Sequence, residues 1–376
     1  MKFICDCKEL LKIVNTGEIV SSSKIDFSSA SMVLLETTSD MLNLKASNLN
    51  VTLEAPVECT VENEGAVSIN QMRLASLLRE LHETNIKVEL RNENIVNITP
   101  SSGTRKIKVQ LYGVPPGEFP ELPTIDERKP FIAIEKNLFK HIIASTAFAA
   151  AAAPTQYALN GVYMTYVDKV FSMVTTDGRR MAIYSHPLGE TKHEEFKVIL
   201  SRDFLKQLQR ALVGEGALSF AIDDNRIFIK ADNMLISSLF IDGDYPNYRS
   251  FIPKSYTSSL TIDTTLFKNA IKTLLAAYTN IELSFNKILL NIDKKSLKIT
   301  SRTKNSANTD EELGCDYDGE ATKIAFNVKM LNEIIEHIED EKISLSWNDS
   351  TSPVRIKGDG NEDCHYILMP VKEGDF

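Results

Sequence analysis

Apolar and polar residues alternate along most of this chain in short stretches, and a smaller number of segments instead carry apolar residues every three or four positions. The first pattern predicts half-buried β-strands and the second amphipathic helices. Strands are expected at Met41–Lys45, Ile86–Leu90, Val170–Val174, Arg226–Lys230, Leu297–Thr300 and Lys342–Trp347. Their alternation suits antiparallel sheets with one buried face. Helices are expected after three good N-cap residues, Asn70, Ser201 and Asn327. Counted from each cap, apolar residues fall at the fourth (Leu74, Leu205, Leu331), seventh (Leu77, Leu208, Ile334) and eleventh (Leu81, Leu212, Ile338) positions.

A second column of likeness supports the first. Phe3–Lys12, Phe131–Lys140 and Ser259–Lys268 each read as a strand running into a helix. Their Leu-apolar-Lys triplets begin at Leu10, Leu138 and Leu266, 128 residues apart at each step, while the caps stand 131 and 126 apart. The chain therefore repeats three times. Similar loops, Gly117–Pro123 and Gly243–Arg249, close the first two repeats. The pattern predicts an α+β chain of three similar domains, 1–127, 128–254 and 255–376. Each would carry two helices on antiparallel sheets of about eight strands, and each is large enough for its own core.

Composition narrows the function. The 376 residues are 43% hydrophobic and 25% charged, which is globular rather than disordered. A net charge of −9 argues against a simple nucleic-acid coat, although net charge hides its distribution. No apolar run approaches bilayer length and the N-terminus has no signal-peptide pattern. The five cysteines (Cys5, Cys7, Cys59, Cys315, Cys364) are an odd number without a C-x-x-C, which fits reduced core thiols in a cytoplasmic protein. If extended, Cys5 and Cys7 share one strand face. The six histidines lack an H-x-x-x-H pair, so no metal site is expected. There is no G-x-S-x-G, no H-E-x-x-H and no phosphate-binding glycine loop, and no cofactor is implied. Asp177 in Thr-Thr-Asp-Gly suits a turn better than a catalytic acid. An open solenoid scaffold is the structural alternative, but its repeats of roughly 20–45 residues are far shorter than these.

Five motifs in order carry a resemblance over the whole chain. They are Phe119-Pro120, Leu159-Asn160-Gly161, Thr176-Asp177-Gly178-Arg179-Arg180-Met181-Ala182, Asp242-Gly243-x-Tyr245-Pro246-x-Tyr248-Arg249, and Tyr366-Ile367-Leu368-Met369-Pro370. The sequence resembles the bacterial DNA sliding clamps, the beta subunits of the replicative polymerase. The resemblance implies a head-to-tail homodimer closed into a six-domain ring around duplex DNA, helices inside and sheets outside. It implies a non-catalytic processivity factor in DNA replication, loaded by a separate ATP-using clamp loader.

The expected inner helices carry Lys8, Lys12, Arg73, Arg79, Lys136, Lys140, Arg202, Lys206, Arg210, Lys268 and Lys272, while acidic residues gather in strands and loops. Such a lining attracts phosphates without reading bases; the sixth helix, with Glu333, Glu336 and Glu339, fits it poorly. The resemblance implies DNA contact by Lys24, Arg73 and Arg202, and the basic lining of the expected inner helices adds Arg79, Lys136, Lys140 and Lys206. The sequence departs from the family at Ala149–Ala153 before Pro154, where polar DNA-touching residues are common. Direct DNA affinity is therefore expected to be weaker, and lysine at Ala150 and Ala151 to tighten it. A plain helix extension ending before the proline explains the alanines equally well.

The resemblance also implies a pocket for short peptides of the polymerase, the clamp loader and repair proteins. Its residues would be Leu159, Thr176, Gly178, Arg180, Met181, Pro246, Phe251, Phe285, Pro353, Ile367, Leu368, Met369, Pro370 and Val371. Leu, Met and Pro side chains give an adaptable apolar cleft, with Arg180 and the backbone near Gly178 to hold polar groups. Ser250 stands where an arginine is common. The tail Lys372–Phe376 runs past the usual end, and Phe376 is expected to fold back into the cleft. Arg105, Lys106, Ile107 and Val109 would form one side of the dimer contact, and Leu274, Tyr278, Glu311 and Glu312 the other.

Overall fold

The computed structural model describes the chain apart from residues 21–30, 82–83, 102–106, 127, 153–156, 190–192, 277–286, 303–307 and 373–376. The expectations for Lys24, Arg105, Lys106, Ala153, Pro154, Tyr278, Phe285 and Phe376 lie outside the described residues.

The described chain forms two compact units. The first comprises Met1–Lys140, Thr191–Glu194 and Asp203–Phe240. Its main sheet runs β8 (Val109–Tyr112), β7 (Ile95–Pro100), β6 (Asn85–Leu90), β1 (Lys2–Asp6), β4 (Val51–Asn63), β16 (Met234–Leu239), β15 (Arg226–Ala231), β14 (Ala217–Asp223), β9 (Ile132–Glu135). Branching from it are β2 (Met32–Thr38), β3 (Met41–Ser47) and β5 (Gly65–Asn70). Helices α1 (Cys7–Thr16) and α2 (Gln71–Leu81) pack on one another.

The second unit comprises His141–Glu190, Glu195–Arg202 and Ile241–Phe376. One sheet runs β13 (Phe196–Ser201), β10 (Gly161–Val167), β11 (Val170–Thr176), β12 (Arg180–Pro187), β25 (Cys364–Leu368), β24 (Val354–Gly358), β23 (Lys342–Trp347), β17 (Ser258–Asp263), β21 (Asp316–Asp318). Another runs β20 (Asn308–Gly314), β19 (Ser296–Arg302), β18 (Lys287–Asp293), β22 (Thr322–Asn327). Helices α5 (Thr264–Ala276) and α6 (Val328–Glu336) pack together. Helix α3 (Lys136–Ala147) has residues of both units, and α4 (Arg202–Ala211) belongs, but for Arg202, to the first. Every ladder is antiparallel, as the alternation predicts.

Helices α1, α2, α3, α5 and α6 start where a side chain takes up orphan amides. Asn70 accepts from the Arg73 amide at 3.0 Å and Asn327 from the Met330 amide at 3.0 Å. Asp6, Glu135 and Asp263 cap α1, α3 and α5 in the same way. The expected stripes of α4 and α6 are buried throughout, and that of α2 departs in phase at one position. Leu77 is half-buried because α2 turns its neighbour Leu78 into the core. In α1 the core position is Leu10, whereas in α3 and α5 it is the middle residue of the triplet, Phe139 and Phe267, and Leu266 is 51% exposed. Cys5 and Cys7 are both buried but do not share a strand face, because Cys7 opens α1.

Two expectations are corrected by this phase. Lys136 occupies the core-facing first turn of α3, only 1% exposed, with Nζ on Asp232 at 2.6 Å and on the Glu215 carbonyl at 3.3 Å. It cannot serve DNA. Leu274 lies on the buried face of α5, fully enclosed, and offers nothing to a partner subunit. The alanine segment is corrected too. Helix α3 ends at Ala147, and Ala149, Ala150 and Ala151 are buried in the turn beyond it. Lysine at Ala150 or Ala151 would bury a charge rather than present one to DNA.

Candidate functional site

Strand β12 opens on the turn Thr176–Arg180. The Gly178 amide donates to Thr176 Oγ1 at 3.0 Å, and Thr176 Oγ1 donates to the Arg180 carbonyl at 2.7 Å. Asp177 Oδ1 accepts from the amides of Arg179 (2.9 Å) and Arg180 (3.0 Å). Gly178 sits at φ +84°, where a Cβ is unfavourable, so the Asp-Gly pair is a structural need of the turn. Gly161 has another reason: a Cβ there would lie 2.3 Å from Ile199 Cγ2.

Beyond the turn, β12 pairs with β25, Arg180 opposite Leu368 and Met181 opposite Ile367. Val174, Met181, Ile183, Tyr248 and Ile367 form one buried cluster, with Tyr163, Tyr245 and Ile252 packed on it. Tyr163 and Tyr245 stack at 4.7 Å with rings 3° from parallel. Burial pushes both phenols above their ordinary range. The tyrosines of the Tyr-Pro-x-Tyr motif thus lie on the sheet face as part of the floor, a role not read from the sequence; Tyr163, on β10, carried no signal but its place in the alternation.

Around this floor stand several expected pocket residues. Phe251 is 61% exposed and Met369 37% exposed. Pro246 accepts from the Tyr248 amide at 2.7 Å, and Pro353 immediately precedes β24, whose Val354 pairs with Leu368. The Met369 amide donates to the Arg179 carbonyl at 2.9 Å, and the Val371 amide to that of Ala325 at 2.9 Å. Leu159 joins through its backbone, accepting from the Ala151 amide at 2.9 Å. Pro370 is half-buried between the two ties. Leu368 is fully buried and faces the core, so only its backbone belongs to the site. Ser250 turns its hydroxyl onto the Asn247 carbonyl at 2.7 Å.

Arg180 is a second correction to the expected site. Its side chain is 9% exposed and three of its five N–H groups are already engaged. Nε donates to Asp177 Oδ2 at 3.1 Å, Nη1 to Glu333, and Nη2 to the Phe148 carbonyl at 3.3 Å. The guanidinium also lies over the Phe148 ring, whose centroid stacks 4.3 Å from that of His337. Burial pushes His337 below the ordinary imidazole range. The acidic face of α6 is explained by such pairs, since Glu336 meets Lys272 at 3.0 Å.

The remaining basic residues differ in freedom. Arg73 is exposed; Arg79 is half-exposed, on Asn15 at 2.9 Å and near Glu18 at 3.7 Å. Lys140, Arg202 and Lys206 are partly exposed, Arg202 reaching the Ala151 carbonyl at 3.5 Å. Among the described residues, no group of His, Cys, Asp or Glu could hold a metal ion, and no helix is long and apolar enough to cross a membrane.

Of the residues given to the dimer contact, Val109 lies on β8 and Glu311 and Glu312 on β20, each an edge strand of its sheet. Ile107 precedes β8 and is half-buried, and Tyr112 on β8, not foreseen, is 70% exposed.

Comparison with known proteins agrees with this geometry. Family models of the DNA polymerase III beta subunit match in order: the N-terminal domain over residues 1–123, the central domain over 133–247 and the C-terminal domain over 249–372. The beta sliding clamp of Treponema pallidum is 27% identical over 377 residues, covering 99% of this chain and all of that one. That of Escherichia coli K12 is 26% identical over 375 residues, with the same coverage. The solved Bacillus subtilis sliding clamp superposes with a TM-score of 0.92 at 22% identity, covering 99% of each chain. The fold is accordingly the three-domain α+β clamp fold. The chain belongs to the DNA polymerase III beta subunit family, the beta sliding clamps, which are non-catalytic processivity factors of that polymerase.

Proposed function

We propose that this clamp acts as a head-to-tail homodimer, closed into a ring around duplex DNA and divided near residues 127 and 254 of each chain. One observation carries the reading. Strand pairing joins successive repeats twice within the chain, β4 to β16 and β12 to β25. In the threefold repeat, the strands at the corresponding positions of the remaining joint are β20 and β8, and both are sheet edges. An edge that is not capped invites another strand. Pairing β8 of one copy with β20 of another repeats the same joint and satisfies a twofold axis. Charge favours it: Lys108 precedes β8, and Asp310, Glu311 and Glu312 line β20. Tyr112 takes the apolar role that buried Leu274 cannot.

Within the ring, Arg73, Arg79, Lys140, Arg202 and Lys206 would meet phosphates without sequence preference. Polymerase, clamp loader and repair proteins would dock short apolar peptides on the Met181–Ile367 floor, between Phe251 and Met369. The compartment would be the cytoplasm. Light scattering over a dilution series tests the joint. The expected mass is twice the 42.1 kDa of one chain. Tyr112→Asp should lower it to a single chain at concentrations where the parent stays paired. A parent that remains a single chain at micromolar concentration would overturn the ring.

A further inference from the structure

Resting on the pocket reading above, we infer that Glu333, on α6, is a positioning residue for the partner pocket, acting through Arg180. The β12–β25 ladder ends beyond Arg180 and Leu368, where the Met369 amide donates to the Arg179 carbonyl at 2.9 Å. Each side is tied separately to the same piece of structure. Arg180 runs from the turn to Glu333 in α6, and the Val371 amide runs to Ala325 in β22, the strand that leads directly into α6. Helix α6 is a firm base, since Val328, Leu331, Ile334 and Ile335 are buried beneath it.

The three acceptors of Arg180 are not equivalent. Asp177 belongs to the turn itself and moves with it. The Phe148 carbonyl is neutral, at 3.3 Å. Glu333, 153 residues away in sequence, is the anion that holds the guanidinium to another element. A buried guanidinium keeps its place while its charge is matched. Removing the charge at Glu333 frees the turn to drift, and with it the Arg179 carbonyl and Met369. Glu333 itself is about one-third exposed, so substitution there does not open the core.

The test is the affinity of a fluorescein-labelled short peptide rich in leucine and phenylalanine, matched to the apolar floor, followed by anisotropy on the full-length protein. Glu333→Gln is expected to weaken binding about 10-fold, a coupling of ordinary size. Glu333→Asp should recover part of the loss. Because both side chains act through one contact, Arg180→Gln with Glu333→Gln should bind no more weakly than Arg180→Gln alone. A folded Glu333→Gln protein within twofold of the parent overturns the inference, as do additive losses in the double variant. If the parent binds no peptide, the pocket reading falls and this inference with it. If the parent binds and Met369→Asp abolishes binding while Glu333→Gln does not, only the inference falls.

Discussion

The two strand joints inside the chain use the same ladder with different chemistry. In the first unit β4 meets β16, and in the second β12 meets β25. At the second rung, the first joint sets Thr52 against Ser237, their hydroxyls 2.7 Å apart. The second joint sets Met181 against Ile367 at that rung. All four residues are buried to a similar degree, so burial does not separate them. Around the polar rung, Arg226 closes the joint by bonding Ser237 Oγ and the carbonyls of Leu49 and Asn50. Around the apolar rung lie Tyr248, Tyr245 and Ile252, and Phe251 and Met369, the chain neighbours of Ile252 and Leu368, are exposed. The two joints of a repeated fold thus differ by one hydroxyl pair against one apolar pair. Both keep the ladder, and the apolar pair is part of a wider floor.

The largest effect is expected from Ile367→Asp. It places a carboxylate among Val174, Met181 and Tyr248, with no cation in that cluster. The cost should be about 3–5 kcal/mol, as for an uncompensated buried charge. Urea unfolding measures it, and peptide binding should vanish at the same time. A loss under about 1 kcal/mol would mean that the rung is not the packed floor described here.

Acid should weaken the second joint next. At the fourth rung His365 faces Ile183, where the first joint has Leu235. Burial, then Arg355 and Lys357, pushes the His365 imidazole down to about 4 from an ordinary 6.5, against a smaller opposing pull from Glu362. The unfolded chain therefore takes up a proton near pH 6.5 and the folded chain only near pH 4. This contribution to stability is present above pH 6.5 and is lost as pH falls towards 4, by at most about 3 kcal/mol. Half-buried His337 shifts in the same direction and adds to the slope. His365→Leu, which copies the first joint, should flatten the dependence of the urea midpoint on pH over that window. An unchanged slope would remove the distinction between the joints at this rung.

How much of this was legible in the sequence depends on how far apart the partners lie. Helices behind Asn70 and Asn327 were readable because cap and stripe are local signals. Strand alternation was readable for the same reason. The phase of a helix was harder. Lys136 sits in a helix with basic neighbours, and only the position of Asp232 shows that it turns inward. Leu274 looked available because a stripe does not say which tertiary surface covers it. Arg180 has no local sign that Glu333 will meet it. Motif order pointed to the family, but it did not distinguish exposed side chains, such as Met369, from those, such as Leu368, that hold the core. The polar rung was hidden altogether: Thr52 and Ser237 read as ordinary polar positions on half-exposed strands, and pairing alone buries them.

The smallest effect sharpens the comparison most. Ser237→Ala removes the oxygen shared by Thr52 Oγ1 at 2.7 Å and Arg226 Nη1 at 3.1 Å. Arg226 keeps the carbonyls of Asn50 and Leu49, so its loss is partial. Thr52 Oγ1 loses a buried partner, which should cost about 1–2 kcal/mol in urea unfolding. Adding Thr52→Val replaces both hydroxyls by apolar groups of similar shape, and most of that cost should return. Peptide affinity should not move in either variant, because the aromatic floor lies in the other joint. If the double variant is as stable as the parent, the hydroxyl pair is not needed to hold the first joint together. The apolar rung of the second joint could then not be explained by stability either, which would leave recognition of a partner as the reason the two joints differ.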